Sequence, residues 1–137
     1  MTVIDQQAMR YLNLLDKITH VKTNRCFNYN NMLIFAVPAQ LVSKAIGSNA
    51  VHVKEIKNRL NKRVRIINQP NGITEADQFI KDIVAPVSFK SLEIKDRVVI
   101  ITAGPQSKAA LLGRNKRRYE ELKQIIEDTF NHSLKII

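Results

Sequence analysis

A chain of 137 residues with 45% hydrophobic and 25% charged side chains has the make-up of a folded soluble protein, long enough for one ordinary domain or two small ones. Its single cysteine, Cys26, excludes an internal disulfide, no Cys/His cluster offers a metal site, and no apolar run nears the roughly 20 residues of a membrane span. The opening MTVIDQQAMRYL lacks the basic-then-apolar layout of a secretion signal, so a cytoplasmic protein without a membrane partner is expected. The net charge of +10 points to a polyanionic partner, nucleic acid first.

In chain order, residues 5–19 (DQQAMRYLNLLDKIT) are predicted helical, with Met9, Leu12, Leu15 and Ile18 lining one face. VKTNRCFNY and MLIFAV read as two strands, and Asn30-Asn31 supplies the left-handed conformations of a tight hairpin. PAQLVSKAIG is a helix with Pro38 at its start and Gly47 at its end. SNAVHVKEIKNRL restarts a helix with Asn49 as N-cap, and RVRII closes as a strand.

NQPNGIT, residues 68–74, is the one dense turn cluster in mid-chain and marks a domain boundary, dividing the chain into 1–69 and 70–137. Beyond it TEADQFIKDI is a helix, VSFKSLEI and RVVIITA are strands around Lys95-Asp96, and QSKAALL is a short helix. After GRN come the helix KRRYEELKQIIEDTF and the strand SLKII.

The order is thus written twice. A shift of 66 sets Gly47 on Gly113, Asn49 on Asn115 and Lys57 on Lys123, and it carries Val53, Ile56 and Leu60 onto Tyr119, Leu122 and Ile126. At the closing strands the shift becomes 70, because the second long helix is about one turn longer.

The two glycine junctions are the candidate site. A helix that starts just after a glycine exposes its first amides, and the missing side chain leaves room for a phosphate. Arg114, Lys116, Arg117 and Arg118 crowd the start of the second long helix, where the macrodipole is already positive. A polyanion would neutralise both. Lys44 and Lys108, near the ends of the preceding helices, complement the dipole without any ligand. Lys54, Lys57, Arg59, Lys62, Arg63 and Arg65 form a further basic band. Residues 1–70 hold 11 basic and 3 acidic side chains, a net +8, and residues 71–137 hold 11 and 9, a net +2.

Helix–strand–strand–helix–turn–helix–strand, carried by AIGSNAVHVKEIKNRLNKRVRII and LLGRNKRRYEELKQIIEDTFNHSLKII, resembles the type II KH domain, and a tandem pair of this length is similar to the archaeal NusA-like transcription termination/antitermination family. The resemblance implies an α+β fold of two consecutive type II KH-like domains, each a three-stranded sheet with helices on one face. It also implies single-stranded RNA as ligand, with a GXXG-type loop clamping the backbone. Those loops would be Gly47, Ser48, Asn49 and Ala50, then Gly113, Arg114, Asn115 and Lys116, with Ile46 among the aliphatic walls for bases. Ala45, Val42, Val51, Ala109, Leu112 and Ile101 are further wall candidates. The family's second glycine is replaced by Ala50 and Lys116; Ala50 is expected to begin a helix without a positive φ.

The same resemblance implies a non-catalytic monomer that needs no cofactor and works with RNA polymerase or a transcribing complex. Two other readings stay open. One is a ribosome- or polymerase-associated scaffold with silent loops. The other is a nuclease using Glu120, Glu121, Glu127 and Asp128, although these scatter over one helix with Lys123 among them, where ion pairing is the plainer role.

Overall fold

The computed structural model describes residues 6–137; Asp5, assigned above to the first helix, and the four residues before it lie outside them. The chain divides into two compact units, one ending at Pro70 and the other running from Asn71 to Ile137. The fold is mixed α+β, with six α-helices and two three-stranded sheets among the described residues.

The first unit runs α1 (Gln6–Thr19), β1 (Cys26–Tyr29), β2 (Met32–Val37), α2 (Val42–Ile46), α3 (Val51–Leu60) and β3 (Arg63–Asn68). Short 3₁₀ turns, Ala39–Leu41 and Ser48–Ala50, precede α2 and α3. The second unit opens with a 3₁₀ turn, Ile73–Glu75, and continues α4 (Ala76–Val84), β4 (Ser91–Lys95), β5 (Val98–Thr102), α5 (Pro105–Leu112), a 3₁₀ turn Arg114–Lys116, α6 (Arg117–Phe130) and β6 (Ser133–Ile136).

Both sheets have the same topology. An antiparallel hairpin, β1–β2 or β4–β5, is joined on its second strand by a parallel third strand. The register repeats too: Met32 pairs with Arg63, and Val98 with Ser133. These partners are 66 and 70 residues apart between units, as the sequence shift requires, because α6 has 14 residues where α3 has 10.

Two details of the hairpins differ from expectation. Asn30 and Asn31 form the first turn at φ 52° and 59°, but the second falls on Asp96-Arg97, φ 53° and 60°. Lys95 stays in the ladder opposite Val98, which pushes the two-residue loop one place along. The outer strands also begin later than the runs expected for them, at Cys26 and Ser91. The Thr23 hydroxyl donates to the Ala36 carbonyl at 2.6 Å and accepts the Arg25 N–H, bending the backbone before β1. Before β4, the Val87 N–H closes a turn onto the Val84 carbonyl.

The first unit's core joins Tyr11 and Leu15 of α1 to Leu33 and Phe35 of β2, Ala45 of α2 and Ile56 of α3. In α1 the buried residues are Tyr11, Leu15 and Thr19, four apart, whereas Met9 is 46% exposed. A spacing of three drifts about 60° round a helix at each step, so the run from Met9 to Ile18 cannot stay on one face. Thr19, the one buried polar side chain among the described residues, donates to the Leu15 carbonyl at 2.7 Å and accepts the Val21 N–H. In the long helices the expected register holds: Ile56 and Leu122 are both fully buried, each flanked by its partly or fully buried neighbours one turn away. Phe79 and Phe130 pack edge to face, and the Tyr119 hydroxyl donates to the Leu134 carbonyl at 3.0 Å.

Candidate nucleic-acid interface

Each junction between the two later helices of a unit is built the same way. Gly47 ends α2 at φ 80°, ψ 166°, and its N–H closes onto the Ser43 carbonyl at 3.0 Å; Gly113 ends α5 at φ 73°, ψ 178°, closing onto Ala109 at 3.0 Å. That combination of angles is open only to glycine. Three residues later the Ala50 and Lys116 N–H groups donate to the Gly47 and Gly113 carbonyls at 3.1 and 3.2 Å.

Between these bonds the chain turns left-handed. Asn49 and Asn115 both sit at φ 55°, ψ 30°, and Ala50 and Lys116 follow at φ 59°. Two expectations are corrected here. Ala50 does take a positive φ, because the helix proper starts one residue later, at Val51. Asn49 is not an N-cap: it lies inside the 3₁₀ turn, as its counterpart Asn115 does in the second unit, and neither α3 nor α6 has a side-chain cap hydrogen bond. The first-turn amides of both helices therefore lack the usual side-chain acceptor.

The cations divide by position. Arg114, Lys116 and Arg117 are exposed at and just after the second turn, with Glu120 the acid in the first turn of α6. Arg118 is different. It is half-buried, and its Nη1 donates to the Ala110 carbonyl of α5 at 3.2 Å. The first turn has Ser48, Ala50 and Val51 where the second has Arg114, Lys116 and Arg117, so it carries no charge. Val51 is 51% exposed there, a large apolar side chain in the open.

Lys44 lies exposed in the last turn of α2, as expected. Lys108 does not occupy the matching place: it is the fourth of eight residues in α5, half-buried, so the dipole of a helix end does not account for it. Lys54 and Lys57 are exposed on α3, whose one acid, Glu55, is held by Arg59 at 3.2 Å. Lys62 and Arg63 reach back to Asn28 and to the Asn30 carbonyl, which ties that end of the basic band to the β1–β2 hairpin.

Among the wall candidates Ile46, Val42 and Leu112 are half-buried and Ala109 is exposed, whereas Ala45 and Ile101 are fully buried core. Sequence reasoning passed over His52. Its Nδ1 lies 3.0 Å from the Lys44 carbonyl, beside Gly47. The 66-residue shift, which sets His52 on Arg118, was the signal that could have found it. Among the described residues no three His, Cys, Asp or Glu side chains gather to hold a metal ion, and Asp128 accepts a hydrogen bond from Gln124 at 2.9 Å. No helix there is long and apolar enough to cross a membrane.

No family model matches the chain. Its curated relatives include a protein of Halococcus morrhuae named "Probable transcription termination protein NusA", 21% identical over 131 residues, which cover 93% of this chain and 92% of that one. Proteins of the same name from Methanococcus vannielii and Methanocaldococcus jannaschii are 24% and 25% identical over 80% and 85% of this chain. The chain spans 64% of the length of each of those two. A solved crystal structure, that of APE1850, shares the fold over 98% of this chain and all of its own at a TM-score of 0.69, with 22% identity. Relatives of one name from four archaea are thus similar to this chain, at low identity and over most of its length.

Proposed function

We propose that the two units are consecutive type II KH-like domains, residues 1–69 and 70–137, and that the chain is a non-catalytic single-stranded RNA-binding factor. Its setting would be transcription termination, antitermination or elongation beside RNA polymerase, in the cytoplasm. The name that these relatives share supports the transcriptional setting. The observation that carries RNA binding is the twofold glycine junction, with matching dihedral angles, uncapped first-turn amides and exposed cations at the second copy. The ligand contacts assigned to it are the turns Gly47–Ala50 and Gly113–Lys116, with Ile46, Arg117 and Lys44, Lys54, Lys57 and Lys108 around them.

Fluorescence anisotropy with short single-stranded RNA, matching DNA and an RNA duplex tests the reading across a salt series. Two to three phosphates held per unit give a slope of log K against log salt of roughly −3 to −4 on single strands. A slope near zero, or preference for the duplex, argues against it. The scaffold reading draws on one observation, the non-glycine residues Ala50 and Lys116 at left-handed positions. Charge reversal separates the two: Ser48→Asp with Asn49→Asp, and Arg114→Asp with Asn115→Asp. These spare the glycines, whose backbone angles no aspartate would tolerate. Clamping turns lose affinity with each pair while the fold survives; a scaffold loses nothing. Loss of labelled RNA during long incubation with Mg²⁺ would point instead to catalysis.

A further inference from the structure

His52 and Arg118 meet the same point in their respective units, and the RNA reading uses neither contact. His52 stands five residues after Gly47, and its Nδ1 approaches the Lys44 carbonyl, three residues before that glycine, at 3.0 Å. Arg118 stands five residues after Gly113, and its Nη1 donates to the Ala110 carbonyl, three residues before, at 3.2 Å. A carbonyl only accepts, so the first contact is a hydrogen bond when Nδ1 carries the proton.

Both carbonyls belong to the last turn of a helix, where no backbone N–H ahead satisfies them in α-helical fashion. For Arg118 the placement also sets its cation against the negative end of α5. The same side chains fill the room beside the glycines. A Cβ on Gly47 would stand 2.9 Å from His52 Nδ1, and one on Gly113 would stand 2.8 Å from Arg118 Cγ.

We infer that His52 and Arg118 are matched positioning residues: each ties the start of one helix to the end of the helix before it and holds the glycine junction between them in its bent shape. Arg118 is thereby removed from the phosphate ligands expected from the sequence, leaving Arg114, Lys116 and Arg117 as the cations of that turn. One side of the proposal, its effect on RNA, rests on the function proposed above; the other, the shape of the turn, does not.

Four variants of the full chain test it: His52→Ala, His52→Arg, Arg118→Ala and Arg118→His. Amide hydrogen exchange at Gly47, Ala50, Gly113 and Lys116 is read without RNA, and anisotropy with single-stranded RNA is read across a salt series at one fixed pH. Each alanine variant should speed exchange at its own junction several-fold and weaken RNA binding roughly three- to tenfold, the worth of one hydrogen bond, with the salt slope unchanged. Arg118→His and His52→Arg, each supplying an N–H donor for the same carbonyl, should recover both to within about twofold. A slope that falls by about 0.7 in Arg118→Ala and stays low in Arg118→His would make Arg118 a phosphate ligand and overturn the assignment. Exchange unaltered in the alanine variants would overturn it as well. If the wild-type chain binds no RNA, the exchange arm still judges the positioning role while the functional reading fails by itself.

Discussion

Ala50 and Lys116 hold a conformation that L-amino acids avoid, at φ 59° in both units. A left-handed residue of this kind costs about 1–2 kcal/mol, less the roughly 0.5–1 kcal/mol of extra chain entropy that glycine would lose on folding. Ala50→Gly and Lys116→Gly should therefore each raise stability by about 0.5–1 kcal/mol in urea unfolding. A loss of stability would show that the turn does not bend as described. At the neighbouring glycines the sign reverses. Gly47→Ala must adopt φ 80° with ψ 166° and bring its Cβ to 2.9 Å from His52 and Val51. It should lower stability by about 1–3 kcal/mol or more. Asn49 and Asn115 sit between these cases, since asparagine tolerates the left-handed region with little strain.

Helices α3 and α6 bury one stripe in one register, and α1 buries a different stripe from the one its apolar spacing advertises. Ile56 and Leu122, at matching positions, are fully enclosed, so Ile56→Ala and Leu122→Ala should each cost about 2–5 kcal/mol by the same urea assay. In α1, Leu15→Ala should fall in that range, because Leu15 is fully buried. Met9→Ala should change stability by less than about 0.5 kcal/mol, as its side chain is 46% exposed. Equal losses at Met9 and Leu15 would restore the face that the sequence alone indicated. The Glu55–Arg59 pair adds little to this balance: both side chains are about half exposed, and such pairs contribute about 0–1 kcal/mol.

Across the whole chain, charge and its placement make different demands. The residues through Pro70 carry the larger surplus, +8 against +2, yet the turn with exposed cations belongs to the second unit. If nucleic acid reads position, neutralising Arg114, Lys116 and Arg117 together to Gln should reduce the magnitude of the salt slope by about 2. Removing as many charges at Arg10, Lys17 and Lys22, exposed on and just after α1, should leave the slope nearly unchanged. Equal effects would mean that the +10 total attracts RNA without any particular turn.

The sequence alone was enough for the order of elements, the doubled pattern and the change of shift from 66 to 70, the Asn30-Asn31 hairpin and the helix ends at Gly47 and Gly113. All of these rest on local preferences, in which a residue's own chemistry selects its backbone angles or its face. Tertiary structure decided the rest: the positive φ of Ala50 and Lys116, the burial of Tyr11 in place of Met9, and the withdrawal of Arg118 from the exposed cations. Each depends on where a second segment lies. Alanine and lysine give no sign of a left-handed turn, which is imposed when two helices must meet at a fixed angle. Arginine looks the same in a sequence whether it faces solvent or a carbonyl eight residues away, and only the packed junction supplies that carbonyl.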